Sequence, residues 1–432
     1  MNQLKSFKSV LNLTVIVAGL GYFVDLFDIT LYGVVRVASL KDLGLTDPAE
    51  ILSSGILIYN AQMIGMMVGG LIWGILADKR GRLSVMFGSI LLYSLANIVN
   101  AFVTDVPSYA LCRFFGGLGL AGELGAAVTL VAESLPKEKR GLGTTVVATL
   151  GMLGIVAAAY VGQILPWKMA YLAGGLMGIL LLFARFKIAE SHLFQAAPAK
   201  ENRGNFFLLL RPRRLTIYLA CILIGVPIYF TTGVLFTFAP ELTAGLGVVG
   251  EVTAGNAILF GSLGLTLGDL GSGLLSQWLR SRRKAVAAAL IAAFGLLLIY
   301  LRVPSLSSNV IYGITFAIGI CVGYWAVLVT MVAEQFGTNV RATATTTVPN
   351  FVRGSAVFAT SSFAYLKAEM AASHAALLVG SVCFGLALLA LTKLEETFGR
   401  DLDFQESHAG VETATETNET RAPLKVTNSA AN

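Results

Sequence analysis

Ionisable side chains are rare inside the long apolar stretches of this chain, and each brings a specific chemistry. They include Asp25, Asp28, Arg113, Glu123 and Arg353. A charge in apolar surroundings is costly unless its side chain faces a cavity or a partner of opposite charge. A carboxylate there can take up and release a proton, and a guanidinium can bind a carboxylate through two parallel hydrogen bonds. These residue types indicate a site that binds an anion and handles a proton.

The first apolar stretch carries two of these carboxylates on one helical face. That face consists of Gly21, Asp25, Asp28 and Tyr32. Asp25 lies about 16 Å by helical rise from Arg36, which stands near the end of the stretch, so we expect Asp25 near mid-depth. We predict that the face lines a central cavity, where Asp25, Asp28 and Tyr32 contact substrate. Both carboxylates are also candidate proton carriers.

Arg353 is the candidate anchor for an anionic substrate. It lies twelve residues beyond Arg341, which corresponds to about 18 Å along a helix. A guanidinium in low-dielectric surroundings attracts a carboxylate strongly. The alternative is an internal ion pair with Asp25 or Asp28 that only neutralises the charge. Both hypotheses hold together if substrate and aspartate compete for the same arginine.

A third group of candidates concerns proton coupling. Arg113 and Glu123 are ten residues apart on a glycine-rich segment, which predicts close packing against a neighbouring helix. Movement of Glu123 relative to Arg113 would make the Glu123 carboxyl bind and release a proton. The alternative is a permanent structural ion pair. Asp269 is a further candidate proton site.

Three aromatic residues near mid-depth are candidate substrate contacts. They are Tyr229, Tyr324 and Trp325. An aromatic ring in such a stretch serves packing more often than binding, so this assignment competes with a purely structural role.

The elements that must position these residues are membrane-spanning helices. With 56% hydrophobic and 13% charged residues, a chain of this length cannot cover its apolar side chains as a soluble domain. Stretches of about 20 apolar residues, long enough to cross a bilayer, recur twelve times. We predict spans at about 11–35, 54–77, 83–103, 109–135, 142–165, 168–186, 215–238, 253–279, 285–302, 309–335, 342–366 and 373–393. The expected fold class is therefore all-α, with twelve transmembrane helices in two pseudo-symmetric six-helix halves around a central cavity.

The positive charges predict how the chain is oriented. Most of the 31 lysine and arginine residues fall in alternate polar segments on one side, and short basic loops stay in the cytoplasm. We expect both termini to be cytoplasmic and the membrane to be a bacterial inner membrane. The same asymmetry explains the net charge of +6, so no nucleic-acid partner is implied. The four cysteines fall within predicted spans, where we expect free thiols.

The polar segments divide the chain into four parts. We predict a six-helix bundle over residues 1–186, a cytoplasmic linker over 187–214, a second bundle over 215–399 and a disordered tail over 400–432. Corresponding loops of the two halves share charges: Glu133 precedes Arg140 by seven residues, as Glu334 precedes Arg341. Such repetition is expected for halves related by an axis along the membrane normal.

Several motifs resemble those of the major facilitator superfamily, in particular its branch of sugar porters, organic-ion transporters and metabolite:proton symporters. They are GILADKRGR at 74–82, RFFGGLGLAGELG at 113–125, ESHLF at 190–194 and LEETFGRDL at 394–402. Their order along the chain also matches, and the resemblance covers nearly the whole sequence. It implies a secondary transporter, adds weight to Arg353 as an anion site, and ties Arg113 and Glu123 to proton coupling.

Charged residues at helix ends are candidates for an inner gate whose ion pairs break in each transport cycle. They are Asp78, Arg82, Glu133, Arg140, Glu334 and Arg341. The alternative role is ordinary capping of helix ends. Gln277 stands where the second half would repeat Asp78, so the corresponding contact there is expected to be weaker.

The preferred hypothesis is a proton-coupled symporter for a small organic anion, a carboxylate, that works as a monomer without a cofactor or metal. The alternative is a sugar, polyol or organic-cation transporter of the same branch, in which Asp25 and Asp28 would bind substrate directly. A transport-inactive receptor would lack the intramembrane charges or carry a large soluble domain. An enzyme is not indicated, because the sequence has no phosphate-binding loop, nucleophile motif or metal cluster.

Overall fold

The computed structural model describes residues 13–80, 82–123, 140–185, 209, 211–337, 340–399, 404–406 and 411–413. Within these ranges the chain forms twelve membrane segments in two six-helix halves around a central cavity, which confirms the expected fold class. Eight of the described helices are long and apolar enough to cross a membrane, and two shorter apolar helices accompany them.

The helices of the first half overlap the predicted spans, but the first ends later than predicted, and the fourth ends at Leu120 rather than at about residue 135. They are α1 (Leu13–Asp42), α2 (Pro48–Arg80), α3 (Arg82–Asn100), α4 (Val106–Leu120), α5 (Arg140–Ile164) and α6 (Trp167–Arg185). Helix α1 continues seven residues beyond the predicted end at residue 35. Arg36 is therefore a fully buried helical residue rather than part of an outer loop.

The second half contains two interrupted segments. Its helices are α7 (Pro212–Phe230), α8 (Ala254–Trp278), α9 (Arg282–Arg302), α10a (Ser308–Val322), α10b (Trp325–Gln335), α11 (Arg341–Lys367) and α12 (Ala372–Lys393). Helix α7 contains Pro227 and continues as a π-helical turn, Thr231–Phe236, before the short helix Ala239–Ala244. Proline removes a backbone donor, and π-turns are frequent at functional sites.

The interruption between α10a and α10b is held by a neighbouring helix. Gly323 and Tyr324 leave the helical conformation, and the Tyr324 hydroxyl donates a hydrogen bond of 2.8 Å to the carbonyl oxygen of Ile224 in α7. Discontinuous helices near the middle of a transporter commonly border its binding site.

Glycines allow equivalent helix pairs to pack closely in both halves. A Cβ on Gly117 of α4 would collide with the carbonyl oxygen of Gln62 in α2, and a Cβ on Gly264 of α8 would collide with that of Phe316 in α10a. Small residues permit such backbone approach in membranes. The pairs α2 with α4 and α8 with α10a occupy corresponding positions in the two halves.

The two halves meet along α2 and α11 and again at the end of α1. Thr360 of α11 donates to the side-chain oxygen of Asn60 in α2 at 2.5 Å. Arg36 of α1 forms an ion pair of 2.7 Å with Glu241, which follows α7. The central cavity is lined by residues of both halves.

A small hairpin stands within the segment for which composition predicts disorder. Strand β1 (Phe404–Glu406) pairs antiparallel with β2 (Val411–Thr413). The other residues of the segment from 400 onward, and most of the predicted linker at 187–214, lie outside the described residues. The four cysteines are free.

Candidate functional site

The central cavity has mainly apolar and aromatic walls and a volume of about 140 Å³. This is smaller than pockets for drug-sized ligands, which have about 300–1,000 Å³. Its described lining is Tyr22, Leu26, Ile29, Thr30, Gly33, Tyr59, Met152, Ile155, Ile228, Tyr229, Thr232, Phe236, Thr237, Ile258, Ser262, Leu265, Asp269, Trp325 and Arg353. Both halves contribute, and the size suits a small solute.

Arg353, the residue predicted to anchor an anionic substrate, lies at the cavity wall. Its side chain is 3% exposed. The Nε atom donates to the Tyr229 hydroxyl at 3.1 Å, and Nη2 lies 3.7 Å from an oxygen of Asp25. Gly354 beside it packs against Met67 of α2, so the arginine stands where the two halves touch.

Asp25 is fully buried in α1, and its charge is poorly compensated. Neither carboxylate oxygen accepts a hydrogen bond from the described residues. Its contact with Arg353 is an ion pair at 3.7 Å across the two halves. A buried carboxylate normally accepts several hydrogen bonds, so this pair is incomplete on the aspartate side.

Asp28 and Arg113 belong to a closed network inside the first half. Asn97 donates to Asp28 at 2.6 Å, and Arg113 donates to both Asp28 oxygens at 3.4 Å. Arg113 also donates to the Asn97 side-chain oxygen, and its guanidinium stacks 4.5 Å above the ring of Tyr171. All three network residues are fully buried.

Glu123 pairs with Arg185 rather than with Arg113. Arg185 donates two parallel hydrogen bonds, of 2.8 and 2.6 Å, to the two carboxylate oxygens, and Ser89 adds a third at 2.9 Å. Helix α1 covers the pair directly, because a Cβ on Gly21 would collide with Arg185. Arg185 was not among the residues predicted from the sequence, although its position at the end of a predicted apolar span was a usable signal.

The face of α1 that carries Asp25, Asp28 and Tyr32 turns away from the described cavity lining. The neighbouring face of α1, which includes Tyr22 and Leu26, lines the cavity instead. A rotation of about 100°, one residue of an α-helix, separates the two faces. The polar face contacts buried side chains of other helices, which satisfy Asp28 with hydrogen bonds but leave Asp25 with only its ion pair to Arg353.

Tyr32 and Arg36 continue the buried polar face toward the end of α1. The Tyr32 hydroxyl donates to the carbonyl oxygen of Gly55 at 2.8 Å. Arg36 donates to Glu241 at 2.7 Å and to the Thr237 carbonyl oxygen at 3.2 Å.

Of the three aromatic candidates, Tyr229 and Trp325 line the cavity, and Tyr324 does not belong to its described lining. Tyr229 and Trp325 pack edge to face with ring centroids 6.0 Å apart. Asp269 also lines the cavity, and one of its oxygens accepts the Ala326 backbone N–H at 2.7 Å. Sequence reasoning missed Tyr22 and Tyr59 as lining residues.

Only part of the predicted inner gate can be located. Glu334 accepts a hydrogen bond of 2.6 Å from Thr397 and one of 3.4 Å from Arg282. Arg341 donates to the carbonyl oxygens of Ala333 and Phe336 at 2.8 and 3.1 Å. The side chains of Asp78, Arg82 and Arg140, and the whole of Glu133, lie outside the described part of the structure.

The sequence profile of the Major Facilitator Superfamily matches residues 18–361. The chain belongs to this superfamily. It is therefore an integral membrane transporter of small molecules and not an enzyme. The twelve-helix architecture in two halves agrees with the fold of solved transporters of this superfamily.

Two superfamily relatives and one solved structure illustrate the similarity. The niacin transporter NiaP of Acinetobacter baylyi is 29% identical over 76% of this chain and 80% of its own length. The 3-(3-hydroxy-phenyl)propionate transporter of Escherichia coli is 27% identical over 58% of this chain and 62% of its own length. The crystal structure of a D-xylose-proton symporter superposes with a TM-score of 0.67, at 15% identity over 90% of this chain and 98% of the other.

Proposed function

We propose that this protein is a proton-coupled symporter for a small organic anion, specifically a carboxylate. The observation that carries the proposal is the incomplete ion pair between the two halves at the cavity wall. Arg353 of the second half faces the cavity, while its counter-ion, Asp25, comes from the first half and accepts no hydrogen bond among the described residues.

This geometry favours an exchange of anions at Arg353. A substrate carboxylate in the cavity can form two parallel hydrogen bonds with the guanidinium, which is a better contact than the single one at 3.7 Å to Asp25. Substrate then displaces Asp25 from its counter-ion. An uncompensated buried carboxylate is costly, so Asp25 takes up a proton from the side on which substrate enters.

Release reverses the exchange on the other side of the membrane. Asp25 loses its proton, pairs again with Arg353 and weakens the hold on the substrate carboxylate. One anion and one proton cross together, so no net charge moves. The two halves rock around the central site, and the contact of Arg36 with Glu241 breaks and forms again in each cycle.

The alternative, a transporter of sugars, polyols or organic cations, requires Asp25 and Asp28 to contact substrate directly. Asp25 and Asp28 are fully buried and do not belong to the described cavity lining. Asp28 is also occupied by Asn97 and Arg113. The names of the niacin and hydroxyphenylpropionate relatives specify compounds that carry a carboxylate, in line with the preferred substrate class.

The proposal also covers the location of the protein, its oligomeric state and the roles of the gate and coupling residues. We place the protein in a bacterial inner membrane as a monomer, with both termini in the cytoplasm. Glu334 and Arg341 act at the inner gate, together with Asp78, Arg82, Glu133 and Arg140. Arg113 and Glu123 support coupling by holding the first half in shape.

The direct test uses the purified protein in liposomes at a clamped membrane potential. Proton entry is recorded while mono- and dicarboxylates, sugars and amines are added outside. We expect a carboxylate to cause external alkalinisation beyond its passive leak, with one proton for each anion. Protein-free liposomes and the variant Arg302→Lys, at an exposed end of α9, serve as controls.

Two results would overturn the proposal. Transport of a sugar or amine without any response to carboxylates would move the protein to the alternative class. Carboxylate transport that carries net charge and no proton would retain the substrate class and remove the coupling.

A further inference from the structure

The cavity holds two charges of opposite sign that do not neutralise each other. Among its described lining residues, Arg353 and Asp269 are the only charged ones. No nitrogen of Arg353 lies within 4.0 Å of a carboxylate oxygen of Asp269. A bound solute can therefore meet a cationic group and an anionic group that stand apart in one small space.

Asp269 is held in place by the interrupted segment. Its Oδ1 accepts the Ala326 N–H at 2.7 Å, at the beginning of α10b. Helix α10b has no side-chain cap of its own from Tyr324, so Asp269 of α8 supplies that cap from outside. A helix N-terminus favours a negatively charged group. The carboxylate still has acceptor capacity left, and it lies at the cavity.

An aromatic surface connects the two charged groups. Arg353 donates to the hydroxyl of Tyr229, the ring of Tyr229 packs against Trp325, and Trp325 precedes the residue whose N–H binds Asp269. A planar ring on this surface would direct one substituent toward Arg353 and an opposite one toward Asp269. Aromatic pairs of this kind contribute packing energy beyond the buried area.

We infer that Asp269 is a specificity-determining residue that accepts a hydrogen bond from the substrate. The preferred substrate is then a small ring carboxylate with a donor, such as a hydroxyl, amino or protonated ring nitrogen, remote from its carboxylate. This inference rests on the proposed function, because Arg353 binds the carboxylate end. It differs from the expectation that Asp269 carries the coupled proton.

The chemistry favours a donor over an acceptor. An ionised carboxylate has no proton to donate, so a solute oxygen without a hydrogen faces repulsion there. A solute with no polar group at that end leaves the desolvated acceptor without a partner. Hydrogen bonds to charged groups correspond to roughly 10- to 100-fold in affinity.

The experiment measures binding of benzoate, 3- and 4-hydroxybenzoate, and 3- and 4-methoxybenzoate to the purified protein by competition and by calorimetry. We expect at least one hydroxybenzoate to bind about tenfold or more tightly than benzoate, and its methoxy analogue to lose that gain. In Asp269→Asn, whose side-chain oxygen can still accept the Ala326 N–H, the preference for the hydroxyl should disappear.

The matched control is Glu251→Gln, a charge-neutralising change at an exposed acid of the same half, which should keep the preference. Thermal melting of both variants shows whether the cap of α10b survives. If Asp269→Asn does not fold, the ligand series on the unmodified protein decides, because it needs no variant.

The possible failures are distinguishable. Equal binding of benzoate, hydroxybenzoates and methoxybenzoates would overturn the role of Asp269 and leave the carboxylate proposal standing. Retention of the hydroxyl preference in Asp269→Asn would do the same. Absence of binding by every carboxylate, with binding of a sugar or amine instead, would overturn the proposed function itself.

Discussion

Two of the buried ion pairs at or beside α1 differ in how completely their charges are satisfied. Glu123 accepts two hydrogen bonds from Arg185 and one from Ser89, all within the first half. Asp25 accepts none among the described residues and faces Arg353 of the second half at 3.7 Å. Both carboxylates are almost fully buried.

This difference indicates two roles. The Glu123 pair stabilises the first half, and the Asp25 pair can open when the transporter changes conformation. Breaking the Glu123 pair would leave three hydrogen bonds unmade, so the pair suits a permanent joint between α3, α4, α6 and α1. Opening the Asp25 pair breaks no hydrogen bond to its carboxylate, because that carboxylate accepts none among the described residues. The Asp25 pair also joins the two six-helix halves, which must move relative to each other. A proton and a substrate carboxylate can therefore compete for its members.

The largest effect is expected from Glu123→Ala. Removing one partner of a buried ion pair leaves an uncompensated charge and costs about 3–5 kcal/mol of stability. We expect a large fall in melting temperature in detergent, and a smaller loss in the double variant Glu123→Leu with Arg185→Leu than the single losses suggest. Glu369→Ala, at an exposed acid, is the control. An unchanged melting temperature with an altered proton-to-substrate ratio would contradict the comparison.

The second effect is on substrate binding. Arg353→Lys keeps the charge but loses the planar fork that binds a carboxylate, at a cost of about 2–5 kcal/mol, or about 30- to 5,000-fold in affinity. The loss should appear in the Kd of the transported carboxylate, while the melting temperature changes little. Arg302→Lys is the matched control. Wild-type affinity in Arg353→Lys would remove Arg353 from the binding site.

The third effect sharpens the role of Asp25. Asn at this position imitates the protonated aspartate, so Asp25→Asn should exchange substrate across the membrane but fail to accumulate it. A gradient of one pH unit drives about tenfold accumulation by one-to-one symport, and the variant should lose this factor. Counterflow and gradient-driven uptake measure the two activities separately. Normal accumulation by Asp25→Asn would place the proton elsewhere.

The smallest effect concerns Glu396, a well-satisfied carboxylate at the surface. Burial raises the pKa of its carboxyl, but hydrogen bonds from Ser281 and from the backbone N–H groups of Arg282 and Arg283 lower it by more, so the net pKa lies below its usual value. The ionised group caps α9. Because it is exposed, we expect Glu396→Gln to cost only about 0.5 kcal/mol.

The pH dependence of that small effect has a definite sign. The folded-state pKa is lowered, so the stabilisation is fully present above the pKa of a free glutamate, about 4.3. It is lost as the pH falls through the lowered folded-state value. Melting curves of Glu396→Gln and the wild type should therefore converge in acid. A difference that widens in acid would mean that the neutral form is the better cap.

Much of the fold follows from patterns that are local in the chain. Apolar stretches of membrane length predicted twelve helices in two halves, and the structure confirms them. The extension of α1 through Arg36 was missed, because an arginine after an apolar stretch predicts a loop. In the structure Arg36 pairs with Glu241 and can therefore be buried in the helix. The break at Gly323 and Tyr324 was missed as well. It depends on Asp269 and Ile224, which lie in other helices.

The candidate site was predictable in its residue types more than in its connections. Arg353, Tyr229, Trp325 and Asp269 line the cavity. The pairing expected between Arg113 and Glu123 gives way to two separate pairs, with Asp28 and Arg185. Helical periodicity orders side chains around one helix, but it does not state how far that helix is rotated toward its neighbours.

The sequence by itself determined that this protein is a membrane transporter and which charges lie inside the membrane. These properties depend on composition, on the length of apolar stretches and on motifs. Only the tertiary structure decided which acid meets which base, since the partners come from different helices. Asp25 and Arg353 even come from different halves. Close packing between helices fixes those contacts, and the free energy of a buried charge depends on the partner it finds there.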